Sequence, residues 1–322
     1  MATTFSPAHD PIAFLFPGQG SQAVGMGKDL SEIYPVARQT FEEADDALGY
    51  KLSKLCFEGP EDQLRLTEIT QPAILTASVA AYRVVSEKGI RPAYVAGHSL
   101  GEYSAHVAAG TISFRDAVRT VRNRGRYMQE AVPVGVGAMA AILGMDLAGV
   151  TAICNESAQN DVCEPANINS AEQIVISGHA AAVQRATKLA DARGAKRAIM
   201  LSVSAPFHCP LMKPAQERLA ADLQQVIFQK SRFPVVCNVD AVSHYDAAKS
   251  RDALVRQVTG SVKWDQSMRL LISSGVRTFI EVGPGKVLSA LMRQIDRSQN
   301  AINLGDEASL QKCLKSLSAV GA

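Results

Sequence analysis

Short apolar segments alternate with longer helical patterns along this chain, and this alternation restricts the possible folds more than any other feature. The short segments are rich in β-branched or aromatic residues, as buried strands are: IAFLF (12–16), YVAG (94–97), FPVVCNV (233–239) and TFIEVG (278–283). Helical patterns cover residues 29–48, 70–88, 102–109, 115–131, 214–226 and 265–274. Strands that alternate with helices pair in parallel, with the helices packed on the sheet. The sequence therefore predicts an α/β fold built on a parallel sheet.

Residues 135–204 follow a different pattern. GAMAAILGM, QIVISG and KRAIMLSV predict strands, residues 147–159 and 180–193 predict helices, and CEPANINS is a candidate for one more strand. This order within about 70 residues is typical of a small split βαβ unit. We therefore expect a core formed by residues 1–134 and 205–322, with residues 135–204 inserted as a subdomain. The last stretch, 300–322, is expected to end in a peripheral helix.

The composition argues against several classes of protein. A net charge of +2 and 20% charged residues in 322 give no indication of disorder or of nucleic-acid binding. The six cysteines form no C-x-x-C pair and no Cys/His group at zinc spacing, so we expect reduced thiols and no metal. The N-terminus lacks a signal-peptide pattern, and no apolar run reaches about 18 residues. We expect a monomeric, cytoplasmic protein that does not bind a membrane.

The segment Gly97-His98-Ser99-Leu100-Gly101 follows a predicted strand and precedes an Ala-rich helix. In this context G-x-S-x-G matches a nucleophile elbow, which requires both glycines because side chains there would collide with the neighbouring strand or helix. The turn forces Ser99 into an unfavourable backbone conformation and directs the Leu100 N–H towards the reacting group. An ordinary serine in a glycine-rich loop is the alternative. The strand and helix on either side favour Ser99 as a nucleophile.

A serine nucleophile needs a general base, and His208 is the best candidate among six histidines. Prolines on both sides hold its loop, SVSAPFHCPLMKPA (202–215), where the predicted insert returns to the core. His98 adjoins Ser99, but neighbouring side chains on a sharp turn point apart, so we expect it to support the site. The remaining histidines lie in a polar terminus, the helix after the elbow, the insert and a polar loop: His9, His106, His179 and His244.

No acid lies where a catalytic triad would place it, at a strand end between Ser99 and His208. The four intervening aspartates are in helical or loop contexts: Asp116, Asp146, Asp161 and Asp191. We therefore predict a dyad of Ser99 and His208, with a backbone carbonyl or amide that orients the imidazole.

The segment LFPGQGSQAVGMGKDL, residues 15–30, predicts a strand, a glycine-rich turn and a helix. Backbone amides in such a turn bind anions, so Gln19 is a candidate for a second oxyanion donor. A phosphate-binding loop is the competing interpretation, but the segment contains neither G-x-G-x-x-G nor a Walker lysine.

The helical segment AVRTVRNRGRYMQEAV, residues 117–132, carries four arginines, at 119, 122, 124 and 126. Most arginines of a helix form a solvated face. These four are spread around the helix, so at least one must point inward. A buried guanidinium needs an anionic partner, and its planar fork suits a carboxylate.

A series of short motifs follows in order between about residues 12 and 305: FPGQGSQ (16–22), TQPA (70–73), GHSLGEYSA (97–105), RG (124–125), GAMAAILG (137–144), NINS (167–170), PFHCPLM (206–212), VRQ (255–257) and EVGPGKVL (281–288). Together they resemble the acyltransferase family of malonyl-CoA:acyl carrier protein transacylases. The resemblance implies an α/β-hydrolase-like parallel-sheet core with an inserted ferredoxin-like subdomain. It also implies malonyl-CoA as the substrate and acyl carrier protein as the partner, with no metal and no other cofactor.

The resemblance implies a two-step transfer through a malonyl ester of Ser99, with His208 as base and acid. Arg124 would bind the free carboxylate of the malonyl group. Gln19 and Leu100 would provide the oxyanion amides, and Gln257 would orient the histidine through its backbone carbonyl. The rest of the implied substrate cleft is Asn167, Phe207 and His98, of which Phe207 would crowd an α-methyl branch.

Two other functions fit parts of the same pattern. A serine hydrolase or thioesterase would use the same elbow and release the acyl group to water, but it has no need of Arg124. A carrier-protein docking module without catalysis would have no need of Ser99, His208 and Arg124 together. Whether the chain serves fatty-acid or polyketide synthesis is open at this point.

Overall fold

The computed structural model describes residues 11–203 and 205–320, and its larger sheet has six strands in the order β10-β9-β1-β2-β7-β8. The first five are parallel, and β8 is antiparallel to β7. Their bounds are β1 Ile12–Phe16, β2 Tyr94–Gly97, β7 Val235–Val236, β8 Ser243–His244, β9 Thr278–Val282 and β10 Asn300–Leu304. The predicted parallel sheet is confirmed. Two strands were not predicted, β8, which is only two residues long, and β10, which precedes the expected C-terminal helix.

The second sheet has four antiparallel strands in the order β4-β5-β3-β6, all between residues 137 and 200. They are β3 Gly137–Leu143, β4 Cys163–Ser170, β5 Gln173–His179 and β6 Arg197–Met200. Helices α8 (Leu147–Ala158) and α9 (Ala180–Ala192) connect them and cover one face with a separate apolar cluster. The predicted elements of this segment are confirmed, with CEPANINS as a strand.

The remaining helices surround the larger sheet. They are α1 Lys28–Ile33, α2 Pro35–Leu48, α3 Leu52–Glu58, α4 Glu61–Leu64, α5 Thr67–Glu87, α6 Gly101–Ala109, α7 Phe114–Glu130, α10 Lys213–Gln225, α11 Ala247–Arg256, α12 Trp264–Ser273, α13 Val287–Ile295 and α14 Glu307–Val320, with a short 3₁₀ turn at Pro210–Met212. The single helix predicted at 29–48 is divided at Tyr34. This residue is extended because it precedes Pro35, which begins α2.

The central strand β1 is buried on both faces, which positions the site at its carboxyl end. Phe14 and Phe16 pack edge-on against Tyr82 of α5, while Ala13 and Leu15 belong to a cluster on the opposite face that includes Trp264. A strand covered by helices on both sides carries a continuous apolar run rather than an alternating one. The ends of β1 and β2 therefore open into turns at the same edge of the sheet.

The six cysteines are buried and form no disulfide, as expected. Within residues 11–203 and 205–320, no helix combines the length and the hydropathy needed to cross a bilayer.

Candidate active site

The turn between β2 and α6 holds Ser99 in a strained conformation. Its φ of 51° lies in the left-handed region, which residues with a side chain rarely adopt. A Cβ on Gly97 would lie 1.9 Å from the carbonyl oxygen of Gly101, and a Cβ on Gly101 would lie 2.1 Å from that of Phe16. The predicted collision with the adjoining strand and helix is confirmed, so only glycine fits at positions 97 and 101.

Ser99 and His208 are in contact across 109 positions of sequence. The Oγ of Ser99 lies 2.7 Å from Nε2 of His208, and Nδ1 of His208 lies 2.9 Å from the carbonyl oxygen of Gln257. A carbonyl can only accept, so Nδ1 carries the proton and Nε2 accepts from the serine hydroxyl. The partner of the imidazole is a backbone carbonyl and not a carboxylate, as predicted for a dyad.

His208 is buried and lies in the loop that leads from β6 to the 3₁₀ turn. Its φ of 60° is a second strained backbone position in the site. Burial lowers the pKa of His208 to about 3, and the positive charge of Arg124 contributes in the same direction. The imidazole is therefore neutral at pH 7, in the state that a general base requires.

Arg124 is the only buried arginine of α7, with 1% of its surface exposed. Its Nη1 donates to Oε1 of Gln71 at 2.8 Å, and its Nη2 donates to Oγ of Ser99 at 3.1 Å and to Oε1 of Gln257 at 2.9 Å. All three acceptors are uncharged. Burial lowers the pKa of this guanidinium, but an arginine remains protonated at neutral pH. The site thus contains a buried cation next to the nucleophile.

These residues line a cleft of about 540 Å³ between the two sheets. Eight of the nine predicted site residues line it: Gln19, His98, Ser99, Leu100, Arg124, Asn167, Phe207 and His208. Gln257 is fully buried behind the dyad. The other histidines considered as bases do not line the cleft, and His9 lies outside the described residues.

The inserted segment supplies one wall of the cleft through β4. Nε2 of His98 lies 2.8 Å from Oδ1 of Asn169, and the His98 ring packs against Trp264 with centroids 5.4 Å apart. Burial lowers the pKa of His98, so a neutral ring is favoured. Asn167 borders the cleft, and its buried Oδ1 has no hydrogen-bond partner among the described residues. The predicted supporting position of His98 agrees with this packing.

Sequence reasoning missed three residues that hold the site from behind. Asn238 accepts from the Ser99 N–H through Oδ1 at 2.7 Å and donates to the Gly97 carbonyl at 2.7 Å. Oε2 of the buried Glu102 accepts from the Asn238 N–H at 3.0 Å and from Nε2 of Gln257 at 2.8 Å. Gln71, the third, holds Arg124. Gln71 and Glu102 fall within the quoted motifs TQPA and GHSLGEYSA, and each lies on a helix that is mostly buried.

Comparisons with known proteins bear on what this cleft does. The family model described as the acyl transferase domain matches residues 13–313. A malonyl CoA-acyl carrier protein transacylase from Salmonella typhimurium is 51% identical over 94% of this chain and 98% of its own length. A protein of the same name from Bacillus subtilis is 48% identical over 95% of this chain and 97% of its own.

Solved structures show the same similarity. The structure of the malonyl CoA-acyl carrier protein transacylase from Coxiella burnetii matches with a TM-score of 0.93 and 44% identity, over 95% of this chain and 97% of that one. A malonyl-transacylase in complex with its type II PKS acyl-carrier protein matches with a TM-score of 0.93 and 48% identity, over 95% of this chain and 99% of that one.

Proposed function

The chain belongs to the acyl transferase domain family and transfers malonyl groups from malonyl-CoA to acyl carrier protein, and we propose that each group passes through an ester of Ser99. The observation that carries this proposal is the geometry of three side chains. Oγ of Ser99 lies 2.7 Å from Nε2 of His208 and 3.1 Å from Nη2 of Arg124. A nucleophile, its base and a cation for the acyl carboxylate are therefore adjacent in one cleft.

In the first half-reaction, the Ser99 oxygen attacks the thioester carbonyl carbon while its proton moves to Nε2 of His208. The carbonyl oxygen becomes an oxyanion, which the N–H groups of Leu100 and Gln19 stabilise at the edge of the cleft. The intermediate then expels the coenzyme A sulfur, which takes the proton from His208. Ser99 is left as a malonyl ester, and the imidazole is neutral again.

In the second half-reaction, the phosphopantetheine thiol of acyl carrier protein attacks the ester carbonyl and gives its proton to His208. The serine oxygen leaves as the oxyanion collapses and recovers the proton from the imidazole. The Gln257 carbonyl, 2.9 Å from Nδ1, stabilises the transient imidazolium in both halves. The dyad therefore finishes the cycle in its starting state.

Arg124 provides selectivity for a dicarboxylic acyl group. Its donors are held only by uncharged oxygens, so a malonyl carboxylate would supply the negative charge that the buried guanidinium lacks. An acetyl group would leave the cation unpaired, at a cost of about 3 kcal/mol. Phe207 lines the same cleft, where it would crowd a branch on the α carbon.

The rival hydrolase and docking functions make different predictions for one experiment. Malonyl-CoA is mixed with the purified protein and the intact mass is measured with time, with Ser99→Ala as the control. Transfer through Ser99 predicts a stable gain of one malonyl group that disappears when holo acyl carrier protein is added. Release of free malonate would favour a hydrolase, and no adduct would favour a docking module.

Arg124→Ala tests the selectivity in the same assay. We expect malonyl transfer to fall by about 100-fold or more, while acetyl transfer rises relative to it. Unchanged preference for malonyl over acetyl groups in this variant would refute the role of Arg124.

We further infer that the two sheets form two units, a core of residues 1–134 and 205–322 and an insert of residues 135–204. The order β4-β5-β3-β6, with one helix in each of two split βαβ units, supports a ferredoxin-like insert. A serine on the turn after a parallel strand supports a hydrolase-like core. The sequence also predicts that the protein is a cytoplasmic monomer, that it binds neither nucleic acid nor membrane, and that transfer needs no cofactor. These remain predictions.

A further inference from the structure

Four potential metal ligands lie near one another behind the nucleophile turn, where Glu102 contacts Asn238. Glu102 and His106 are one turn apart on α6, Cys237 directly follows β7, and His244 is on β8. The first three are fully buried and His244 is half-buried. None of the four lines the cleft, so the group is separate from the substrate site.

The distances within the group suit a small ion. Oε1 of Glu102 lies 3.9 Å from Nε2 of His106, and Sγ of Cys237 lies 3.0 Å from Nε2 of His244. The ligand atoms of Glu102, His106 and Cys237 all lie within 4.8 Å of one another. In a tetrahedral zinc site the ligand atoms are roughly 3.3–3.7 Å apart, given zinc bonds of about 2.0–2.3 Å. Movements of side chains by about an ångström would bring the atoms of Glu102, His106 and Cys237 to that spacing, whereas His244, which contacts Cys237 but does not belong to the group within 4.8 Å, would have to move further.

The group also contains buried polar atoms that are unpaired within the described residues. These are Oε1 of Glu102, both ring nitrogens of His106 and Nδ1 of His244. Each such atom costs about 1–3 kcal/mol if nothing binds it. Most buried polar atoms in proteins have a partner, and an imidazole can offer only one of its nitrogens to a given ion, so Oε1 of Glu102 and one ring nitrogen of His106 are the unpaired atoms that a common ligand would bind.

We propose that Glu102, His106, Cys237 and His244 bind one zinc ion. A thiolate and two imidazoles are ligands that zinc prefers, whereas magnesium and calcium prefer oxygen. The thiolate and the carboxylate balance the two charges of the ion, and the imidazoles bind as neutral ligands. Cys237 gives up its thiol proton to solvent on binding. The sequence analysis expected no metal because these residues have no local zinc spacing, and only the fold brings them together.

The ion would act on structure rather than on the reaction, since four protein ligands leave no position for substrate. It would occupy Oε1 of Glu102, whose Oε2 accepts from the Asn238 N–H and from Gln257. Asn238 in turn binds the backbone of Ser99. Zinc would therefore hold the Glu102 carboxylate that supports the nucleophile turn. This reverses the usual relation, in which outer-shell groups orient the residues that bind a metal.

The test measures metal in tag-free protein purified without chelators. Zinc content is determined by elemental analysis after dialysis, and the metal-free protein is then loaded with Co²⁺ for absorption spectroscopy. We expect one zinc per chain and a cobalt spectrum with a thiolate-to-metal charge-transfer band and intense tetrahedral bands. Cys237→Ser should lose that band and bind zinc at least about 100-fold more weakly. Cys313→Ser removes a buried cysteine elsewhere and should change neither.

His244→Asn is a second variant for the case that Cys237→Ser does not fold, because His244 is half-buried on an edge strand. It should fold, keep the thiolate band and bind zinc more weakly. Thermal unfolding gives an independent result: zinc should raise the melting temperature of the wild type and leave that of Cys237→Ser unchanged. A wild-type protein that retains no zinc, or whose cobalt spectrum lacks the thiolate band, would overturn the proposal.

Discussion

The turns after β1 and β2 end neighbouring parallel strands, border the same cleft and look alike in sequence, yet their glycines serve different purposes. After β2, Gly97 and Gly101 are required because added Cβ atoms would meet backbone oxygens at 1.9 and 2.1 Å. After β1, a Cβ on Gly18 would lie 2.5 Å from the His98 carbonyl oxygen, but Gly20 and Gly25 have nothing within 4 Å of a Cβ and have φ values of 102° and 95°. Close packing fixes both glycines of the β2 turn, whereas the outer part of the β1 turn, at Gly20 and Gly25, is fixed by backbone conformation alone.

The surroundings of the two turns differ in the same way. The β2 turn is held by the buried side chain of Asn238 and is followed by the buried Leu100. The β1 turn carries the exposed residues Gln19 and Gly20, and its hydrogen bond from the Gly20 N–H goes to Gln22 two residues later. A nucleophile requires a position fixed to within an ångström, whereas an amide donor near solvent is positioned locally. Substitutions in the two turns and in their surroundings test this difference.

Gly101→Ala should have the largest effect. Its Cβ would lie 2.1 Å from the Phe16 oxygen, so the end of β1 or the start of α6 must move. We expect the free energy of unfolding to fall by at least about 3 kcal/mol, and acylation of the remaining folded protein to fall by more than about 100-fold. Denaturant titration measures the free energy of unfolding, and the rate at which the malonyl adduct forms measures acylation. Near-native values for both would contradict the packing argument.

Asn238→Ala should come next, compared with Gln22→Ala. Losing the Asn238 amide leaves the Ser99 N–H and the Gly97 carbonyl unpaired in the interior, and we expect a loss of about 2 kcal/mol in unfolding free energy. Gln22 accepts at an exposed position, so its loss should cost about 0.5 kcal/mol or less. Equal losses in the two variants would show that the β2 turn depends on Asn238 no more than the β1 turn depends on Gln22.

The third test concerns charge, and it compares Arg124→Gln with Arg65→Gln. Both arginines line the cleft, but Arg124 is buried and Arg65 is exposed and paired with Glu61 at 2.7 Å. The Arg124 charge lowers the pKa of His208, so its removal should raise that pKa. The neutral imidazole is the base, and a raised pKa means that it becomes protonated at a higher pH.

A small neutral sulfonyl fluoride that modifies Ser99 provides the measurement, because it does not need a carboxylate-binding group. The acidic limb of its rate against pH should move to higher pH in Arg124→Gln and stay in place in Arg65→Gln, where solvent screens the charge. If the acidic limb lies at the same pH in the wild type and in Arg124→Gln, the charge of Arg124 does not lower the pKa of His208.

Gly20→Ala should have the smallest effect. The space around it is open, and the substitution forces only an unfavourable φ of 102°, at a cost of about 1 kcal/mol. We expect acylation to slow by less than about tenfold. The malonyl-adduct rate measures this directly, and a loss as large as that of Gly101→Ala would abolish the distinction between the two turns.

Local patterns accounted for much of the fold and for part of the site. The strand IAFLF, the elbow GHSLG and the strands and helices between residues 137 and 200 were predictable because strand periodicity, turn sterics and helix signals depend on residues a few positions apart. The strand β10 was missed because NAINL mixes polar and apolar residues, and its position depends on pairing with β9. The break at Tyr34 was missed although Pro35 signals it.

The sequence by itself determined the chemical groups. They are a serine on a turn that requires glycine two positions before and after it, a histidine in a proline-bounded loop, and an arginine on a helix whose arginines cannot all face solvent. Only the tertiary structure decided their partners. Asn238 reaches Ser99 across 139 positions, Gln71 reaches Arg124 across 53, and Glu102, His106 and Cys237 meet behind the turn. The physical reason is that periodicity and turn chemistry are local, whereas these contacts depend on which faces of distant elements pack together.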